Sequence, residues 1–323
     1  MQTIASFLLI FLSPLKTDSL SFEITILGSS SATPTLNRNP TSQVVTIYDR
    51  YFLIDCGEGA QMQMRKFKVK FAKINHIFIS HLHGDHILGL PGFLSSLHLM
   101  NRTNDLHIYC HEPLKEILEI QFKHSETYLR YNIIYHFFQK KTSELIYEDD
   151  KVTVETIILN HRIPCCGFVF REKPSLLSIR KDKIEAYKIL PQDIPSIKKG
   201  NDYLTSTGQQ ISYKELTYPP KVPESYAYCS DTKYDERIFP QLEGVKILYH
   251  EATFLHEMLQ RANETFHTTA KQASEVAEKC GVQKLLIGHF SARYNDLEPL
   301  LYEARQVFKE TYLAKEGEVF SLN

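Results

Sequence analysis

The chain has 323 residues, with 37 Lys and Arg against 38 Asp and Glu, and 43% of its residues are hydrophobic. A formal net charge of -1 excludes histone-like binding to nucleic acid by sheer positive charge, and the apolar share excludes a disordered or fibrous chain. The length accommodates one large α/β domain or two smaller ones.

Residues 4–12 form an apolar run of the length of a signal-peptide core, too short to span a bilayer. No Lys or Arg precedes it and no small-x-small cleavage site follows closely. Residues 1–20 therefore read as an extension outside the fold, with a targeting signal as the lesser alternative. The six cysteines show no CxxC spacing, which suits a reducing, cytoplasmic setting with no membrane partner. From residue 22 onward, 22–27, 44–48, 51–54 and 74–80 read as strands, with Asp49-Arg50 as a tight hairpin. Residues 91–100 and 113–123 carry helical spacing and each opens on a proline. Strands are expected again at 106–110, 152–159, 168–170, 226–230, 245–249 and 284–287, and helices at 269–279 and 297–309. Early strands lack intervening helices, which favours a two-sheet sandwich over a doubly wound parallel sheet.

The stretch 171–221 differs in kind. It has five prolines, weak periodicity, and ten Lys and Arg against six Asp and Glu, a local charge of +4. It reads as an excursion from a main domain spanning 21–323. A second basic stretch, 65–73, alternates Lys68 and Lys70 with Phe67, Val69 and Phe71, so that one face can be buried and the other present charge.

The chemistry concentrates in His81-Leu82-His83-Gly84-Asp85-His86, directly after a predicted strand. Four potential ligands within six residues at a strand end can fold around a metal, and Gly84 relieves the crowding. Imidazole and carboxylate without thiolate suit Zn²⁺, with Mn²⁺ and Fe²⁺ compatible. A catalytic metal needs three protein ligands and an open position, so two metals require ligands from elsewhere. His161, Asp231 and His289 each follow a predicted strand and are the candidates to meet the first cluster at one rim.

The HxHxDH pattern is the hallmark of the metallo-β-lactamase superfamily. Gly28-Ser29-Ser30-Ser31-Ala32-Thr33-Pro34, Asp55-Cys56-Gly57-Glu58-Gly59, His250-Glu251-Ala252-Thr253, His267-Thr268-Thr269 and Gly288-His289-Phe290-Ser291-Ala292-Arg293-Tyr294 further resemble, in order, the motifs of the ribonuclease Z family of tRNA 3′-processing endonucleases. The resemblance implies an αββα four-layer sandwich of two mixed sheets, with an inserted substrate-binding arm at about 171–221. It implies two Zn²⁺ per subunit, one on His81, His83 and His161, the other on Asp85, His86 and His289, with Asp231 bridging. Asp85 takes the family's role of proton acceptor, and His267 that of general acid, oriented by Glu251. Asp55 is expected to hold a ligating histidine or its loop by hydrogen bonds.

The implied reaction is zinc-dependent removal of 3′ trailers from precursor tRNA, leaving a 3′-hydroxyl on the tRNA and a 5′-phosphate on the trailer. The implied assembly is a homodimer. Where many members carry a Gly-Pro-rich arm segment, this chain has residues 190–200, and Lys198 and Lys199 there are the expected phosphate contacts. The alternative is another metal-dependent phosphodiesterase or ester hydrolase of the same fold, acting on a small molecule.

Overall fold

The computed structural model describes residues 22–139 and 141–322, so the apolar run at 4–12 lies outside the described residues. Six strands open the chain: β1 (Phe22–Gly28), β2 (Ser42–Ile47), β3 (Arg50–Ile54), β4 (Ile74–Phe78), β5 (Leu106–Cys110) and β6 (Ile133–Phe137). A second group follows with β7 (Leu145–Glu148), β8 (Val152–Leu159), β9 (Cys165–Glu172), the short hairpin β10 (Tyr203–Leu204) and β11 (Gln210–Ile211), then β12 (Ser225–Cys229), β13 (Ile247–Glu251), β14 (Lys284–Gly288) and β15 (Thr311–Leu313). The last strand, β16 (Val319–Ser321), crosses back to pair with β1. Two seven-stranded sheets result, ordered β16-β1-β2-β3-β4-β5-β6 and β15-β14-β13-β12-β9-β8-β7. Each is mixed: β3 to β6 run parallel, as do β12 to β15, and the remaining neighbours are antiparallel.

Side-chain alternation assigns the faces. In β1, Phe22, Ile24 and Ile26 join an aromatic-rich core shared with Phe168 and Phe170 of β9 and Tyr226 and Tyr228 of β12, while Leu27 joins the opposite core. In β12 the other face carries Ala227 and Cys229, which pack with Ala270, Ala273 and Val276 of the helix Ala270–Lys279. On the first sheet, Leu53, Ile77 and Ile108 face Phe93, Leu94 and Leu97 of the helix Leu90–Leu99. Three apolar layers therefore separate helices, sheet, sheet and helices, the four-layer sandwich expected from the resemblance. Among the described residues no helix is long and apolar enough to cross a membrane.

Most expected elements are present within two residues, including the hairpin, where Ile47 pairs with Arg50. The first-sheet strand expected to 80 stops at Phe78, which frees Ser80 and His81 to turn away from the sheet. The last helix is shorter than expected, Glu298–Arg305, because the chain returns to the sheet at β15. β6 and β7 carry no matching expectation. Both are edge strands, and their half-exposed residues lack the clean alternation that marks a strand in sequence. The stretch 65–73 is the end of the helix Ala60–Lys66 followed by a short 3₁₀ turn, not a strand. Its burial still alternates, with Phe67, Val69 and Phe71 against the core and Lys68 and Lys70 exposed.

The 171–221 stretch leaves at the end of β9 and returns into β12, two strands that pair antiparallel, so an insertion here leaves the sheet register intact. It holds three short helices and the β10–β11 hairpin around its own small cluster of Ile189, Ile197, Ile211 and Leu216.

An ion pair ties the start of β3, in the middle of the first sheet, to the edge of the second. Asp149, in the turn after β7, accepts from Arg50 of β3, from the Tyr147 hydroxyl at 2.8 Å and from the backbone of Lys151 and Val152. Burial alone would raise this carboxyl, but Arg50 and the other donors bring it from 3.8 down to about 2. A depressed carboxyl contributes stability above its unfolded pKa and loses it as pH falls through the folded value. Urea unfolding between pH 3.8 and about 2 should therefore show a steeper loss of stability in the wild type than in Asp149→Asn.

Candidate active site

The loops after β4, β8, β12 and β14 open at one end of the sandwich, and they bring His81, His83, Asp85, His86, His161, Asp231 and His289 together. Seven residues separated by up to 208 positions in sequence meet because the strands that carry them run in one direction in each sheet. In one group His81 Nε2 lies 3.0 Å from His83 Nδ1, which lies 3.2 Å from His161 Nε2. In the other, Asp85 Oδ2 lies 3.5 Å from His86 Nε2 and 3.3 Å from His289 Nε2. Asp231 stands between them. Its Oδ2 is 3.6 Å from His81 Nε2 and 3.8 Å from His161 Nε2, and its Oδ1 is 3.5 Å from His86 Nε2 and 3.1 Å from His289 Nε2.

These spacings fit a divalent metal. Ligands on bonds of about 2.0–2.1 Å around a tetrahedral cation stand about 3.3 Å from one another. His86 Nε2 and Asp231 Oδ1 are buried without a hydrogen-bond partner among the described residues, which is costly unless something else occupies them. Charge points the same way. Burial lowers the pKa of His81, His83 and His161, keeping them in the neutral ligating form. Burial opposes ionisation of Asp85 and Asp231, yet the facing histidines hold both well below the usual carboxylate range. Burial likewise opposes a charge on His86, yet Asp85, Asp55 and Asp231 hold its proton well above the normal range. The buried carboxylates thus draw positive charge to the spot that a cation would fill.

Surrounding groups fix which nitrogen of each ring faces inward. His86 Nδ1 is 2.8 Å from Asp55 Oδ2, His161 Nδ1 donates to the Phe266 carbonyl at 3.0 Å, and His289 Nδ1 is 3.0 Å from Thr253 Oγ1. In each ring Nε2 is left for the cluster. Asp55 is fully buried and also accepts from the Ser80 backbone at 2.7 Å and the Tyr228 hydroxyl at 2.7 Å. Its turn lies hard beneath the histidine loop: a Cβ on Gly57 would stand 2.5 Å from the Asp85 carbonyl oxygen.

Glu251, at the end of β13, is fully buried and accepts from the backbone of Thr232 and Thr268 as well as from His267 Nδ1 at 2.9 Å. Burial works against a charged His267, but Glu251 raises its pKa to about 9. With Nδ1 held, His267 Nε2 is free to face the cavity, and the ring falls within 4.8 Å of ligand atoms on Asp231 and His289. The helix after it is closed by a capping box of Thr269 and Gln272, so Thr268 and Thr269 anchor the turn that presents His267.

A cavity of about 580 Å³ covers this cluster, lined by His83, Asp85, His161, Asp231, His267 and His289. It also carries residues without a sequence expectation: Arg162 and Arg261 at the mouth, and Ala32, whose backbone N–H donates to Asp85 Oδ2 at 2.7 Å. Arg162 directly follows a ligand candidate, a signal that adjacency could have supplied. Lys68 and Lys70 line a different depression with Thr25 and Tyr51, and Lys198 and Lys199 sit in the 171–221 excursion at the end of the helix Ile194–Lys198. None of the four reaches the cavity over the cluster.

With this geometry in view, the chain is 50% identical over 301 residues to a protein of Bacteroides fragilis named ribonuclease Z, covering 93% of this chain and 99% of that one. It is 48% identical over 303 residues to the protein of the same name from Cytophaga hutchinsonii, covering 93% and 96%. The family profile described as anti-Pycsar protein Apyc1 matches residues 22–186. The crystal structure of human tRNase Z, short form, superposes with a TM-score of 0.68 at 23% identity, covering 93% of this chain and 99% of that one, a likeness of fold.

Proposed function

Because the chain belongs to the ribonuclease Z family, we propose that it removes 3′ trailers from precursor tRNA in the cytoplasm, leaving a 3′-hydroxyl on the tRNA and a 5′-phosphate on the trailer. It is a metal-dependent phosphodiester endonuclease. The ribonuclease Z relatives extend over the C-terminal half, which holds Asp231, Glu251, His267 and His289, whereas the Apyc1 profile ends at residue 186.

His81, His83 and His161 would hold one cation and Asp85, His86 and His289 a second, with Asp231 between them, and zinc suits this donor set. Cations held there would supply the charge that polarises a scissile phosphate and acidifies a water at neutral pH. The observation that carries the reading is that Asp85 and His267, a carboxylate and an imidazole suited to accept and to donate a proton, line one cavity. Asp85, oriented by the Ala32 N–H on Oδ2, takes the proton of the attacking water. His267, its Nδ1 fixed by Glu251, delivers a proton from Nε2 to the departing ribose 3′ oxygen. The alkoxide leaves as an alcohol, and the phosphate stays on the trailer.

The test is to incubate the zinc-loaded protein with a precursor tRNA bearing a 3′ trailer and to map the cut. Cleavage near the discriminator base with a 5′-phosphate on the trailer is expected; hydrolysis of a small diester with no cut in the precursor overturns the proposal and favours the small-molecule alternative.

The excursion at 171–221 acts as the arm that grips tRNA away from the scissile bond, with Lys198 and Lys199 on phosphates, in a homodimer where it reaches substrate on the other subunit. Lys68 and Lys70 offer a second, weaker phosphate contact. Charge reversal at both Lys198 and Lys199 should raise KM for precursor tRNA by about 10-fold or more. Cleavage of bis(p-nitrophenyl) phosphate should be unchanged, and equal loss on both substrates would sink the arm assignment.

A further inference from the structure

We propose that His107 and His136 form a second cation site, apart from the His/Asp cluster, taking one borderline divalent transition-metal ion such as Zn²⁺ through His107 Nδ1 and His136 Nε2. The 14 histidines of the chain exceed what the active site uses, and three of the remainder lie on one face of adjacent parallel strands. His76 of β4 pairs with His107 of β5, and Tyr109, two residues further, pairs with His136 of β6. The rings form a row, with centroids 5.0 Å apart for His76 and His107 and 5.3 Å apart for His107 and His136, both stacked.

Within the row, His107 Nδ1 and His136 Nε2 stand 3.0 Å apart. For metal–nitrogen bonds of about 2.0–2.1 Å, adjacent ligands lie about 2.9 Å apart at a right angle and about 3.3 Å apart at a tetrahedral one. The observed separation falls between these. Without an ion the two nitrogens share one hydrogen bond, so one of them carries a proton, and among the described residues neither ring makes another side-chain hydrogen bond to hold that tautomer. Both are therefore free to turn the nitrogens that meet into lone pairs.

Among the described residues no carboxylate forms an ion pair with His76, His107 or His136. Burial, then the neighbouring imidazoles, lowers the pKa of His76 to about 4, and burial with His107 also lowers that of His136. Neutral imidazole is the form that binds metal. His107 and His136 are half-buried, and β6 is the edge of its sheet, so water can complete the coordination. His76 is closed over by Tyr147 and has the Tyr109 hydroxyl 3.4 Å from Nδ1, which makes it the wall of the site rather than a ligand. An ion here would clamp the edge strand β6 to β5.

The test is equilibrium dialysis of the zinc-loaded protein against micromolar free Zn²⁺, comparing wild type with His107→Asn, His136→Asn and, as a control, His124→Asn on the exposed end of the helix Pro113–His124. The wild type and the control should hold one more equivalent of zinc than the first two variants, and excess zinc should raise Tm in the former pair alone. Hydrolysis of bis(p-nitrophenyl) phosphate, a measure of the intact cluster, should be the same in all four. Equal zinc uptake by the wild type and His136→Asn overturns the site. Loss of an equivalent in the His124→Asn control overturns it as well. His136→Asn alone decides the matter if His107→Asn fails to fold, because His136 sits on the half-exposed edge strand.

Discussion

Replacing His267 with alanine should lower kcat for trailer removal by about 10²–10⁴-fold, while KM and the metal content of the purified protein stay as in the wild type. The size follows from the leaving group. A ribose alkoxide departs poorly without a proton, and His267 is the group in the cavity that Glu251 keeps protonated against the opposing effect of burial, with a pKa of about 9. The alkaline limb carries the sign. An imidazole whose pKa is raised by its partner is charged below that value, so the wild-type rate should fall as pH rises through about 9. In Glu251→Gln the largest remaining influence on His267 is burial, which lowers its pKa. The falling limb should then move to lower pH than in the wild type. Because His267 also lies near Asp231 and His289, zinc analysis decides between proton donor and ligand. Loss of a metal equivalent in His267→Ala would make it a ligand.

Asp55→Ala should be the most destabilising change near the site, by about 3–5 kcal/mol in urea unfolding of the chelator-treated protein. Four donors converge on this one buried carboxylate: the Ser80 backbone, the Ser80 hydroxyl at 2.9 Å, the Tyr228 hydroxyl and His86 Nδ1. Removing it takes the shared acceptor from all of them, in a core where each polar group left unpaired costs about 1–3 kcal/mol. The position also has φ of 52°, left-handed backbone that Asp and Asn adopt more readily than Ala. Asp55→Asn keeps that preference and the shape, so it isolates the charge. It should destabilise less than alanine, while metal affinity falls about 10–100-fold because His86 loses the carboxylate that orients it. Equal unfolding midpoints for Asp55→Ala and wild type would remove this account of the site's support.

Much of the site was legible in the chain because its ligands share a topological position. His81 to His86, His161, Asp231 and His289 each come just after a strand, and strand ends are marked by β-branched and aromatic runs that stop at polar residues. Glu251 likewise closes on a strand expected at 245–249, but His267 carried no such mark, and their expected pairing came from the family resemblance alone. The support around the ligands was less visible. Tyr228 and Thr253 look like ordinary strand and loop residues, and nothing in their neighbours along the chain shows that one hydroxyl reaches Asp55 and the other joins Glu251 to His289. Edge strands β6 and β7 escaped for a related reason, since half-exposed residues carry no period.

The sequence by itself determined the chemistry of the donors, the sandwich architecture and the family, because local spacing and strand punctuation are written residue by residue. The family resemblance already implied how the seven ligand candidates divide around Asp231; only the tertiary structure decided which nitrogen of each ring faces inward, and that His76, His107 and His136 form a row. Those outcomes depend on strand register and on contacts across 100 and more residues. A two-residue shift in pairing keeps each side chain on its face but moves its neighbours by nearly 7 Å. Local sequence holds no record of which register the packed core selects.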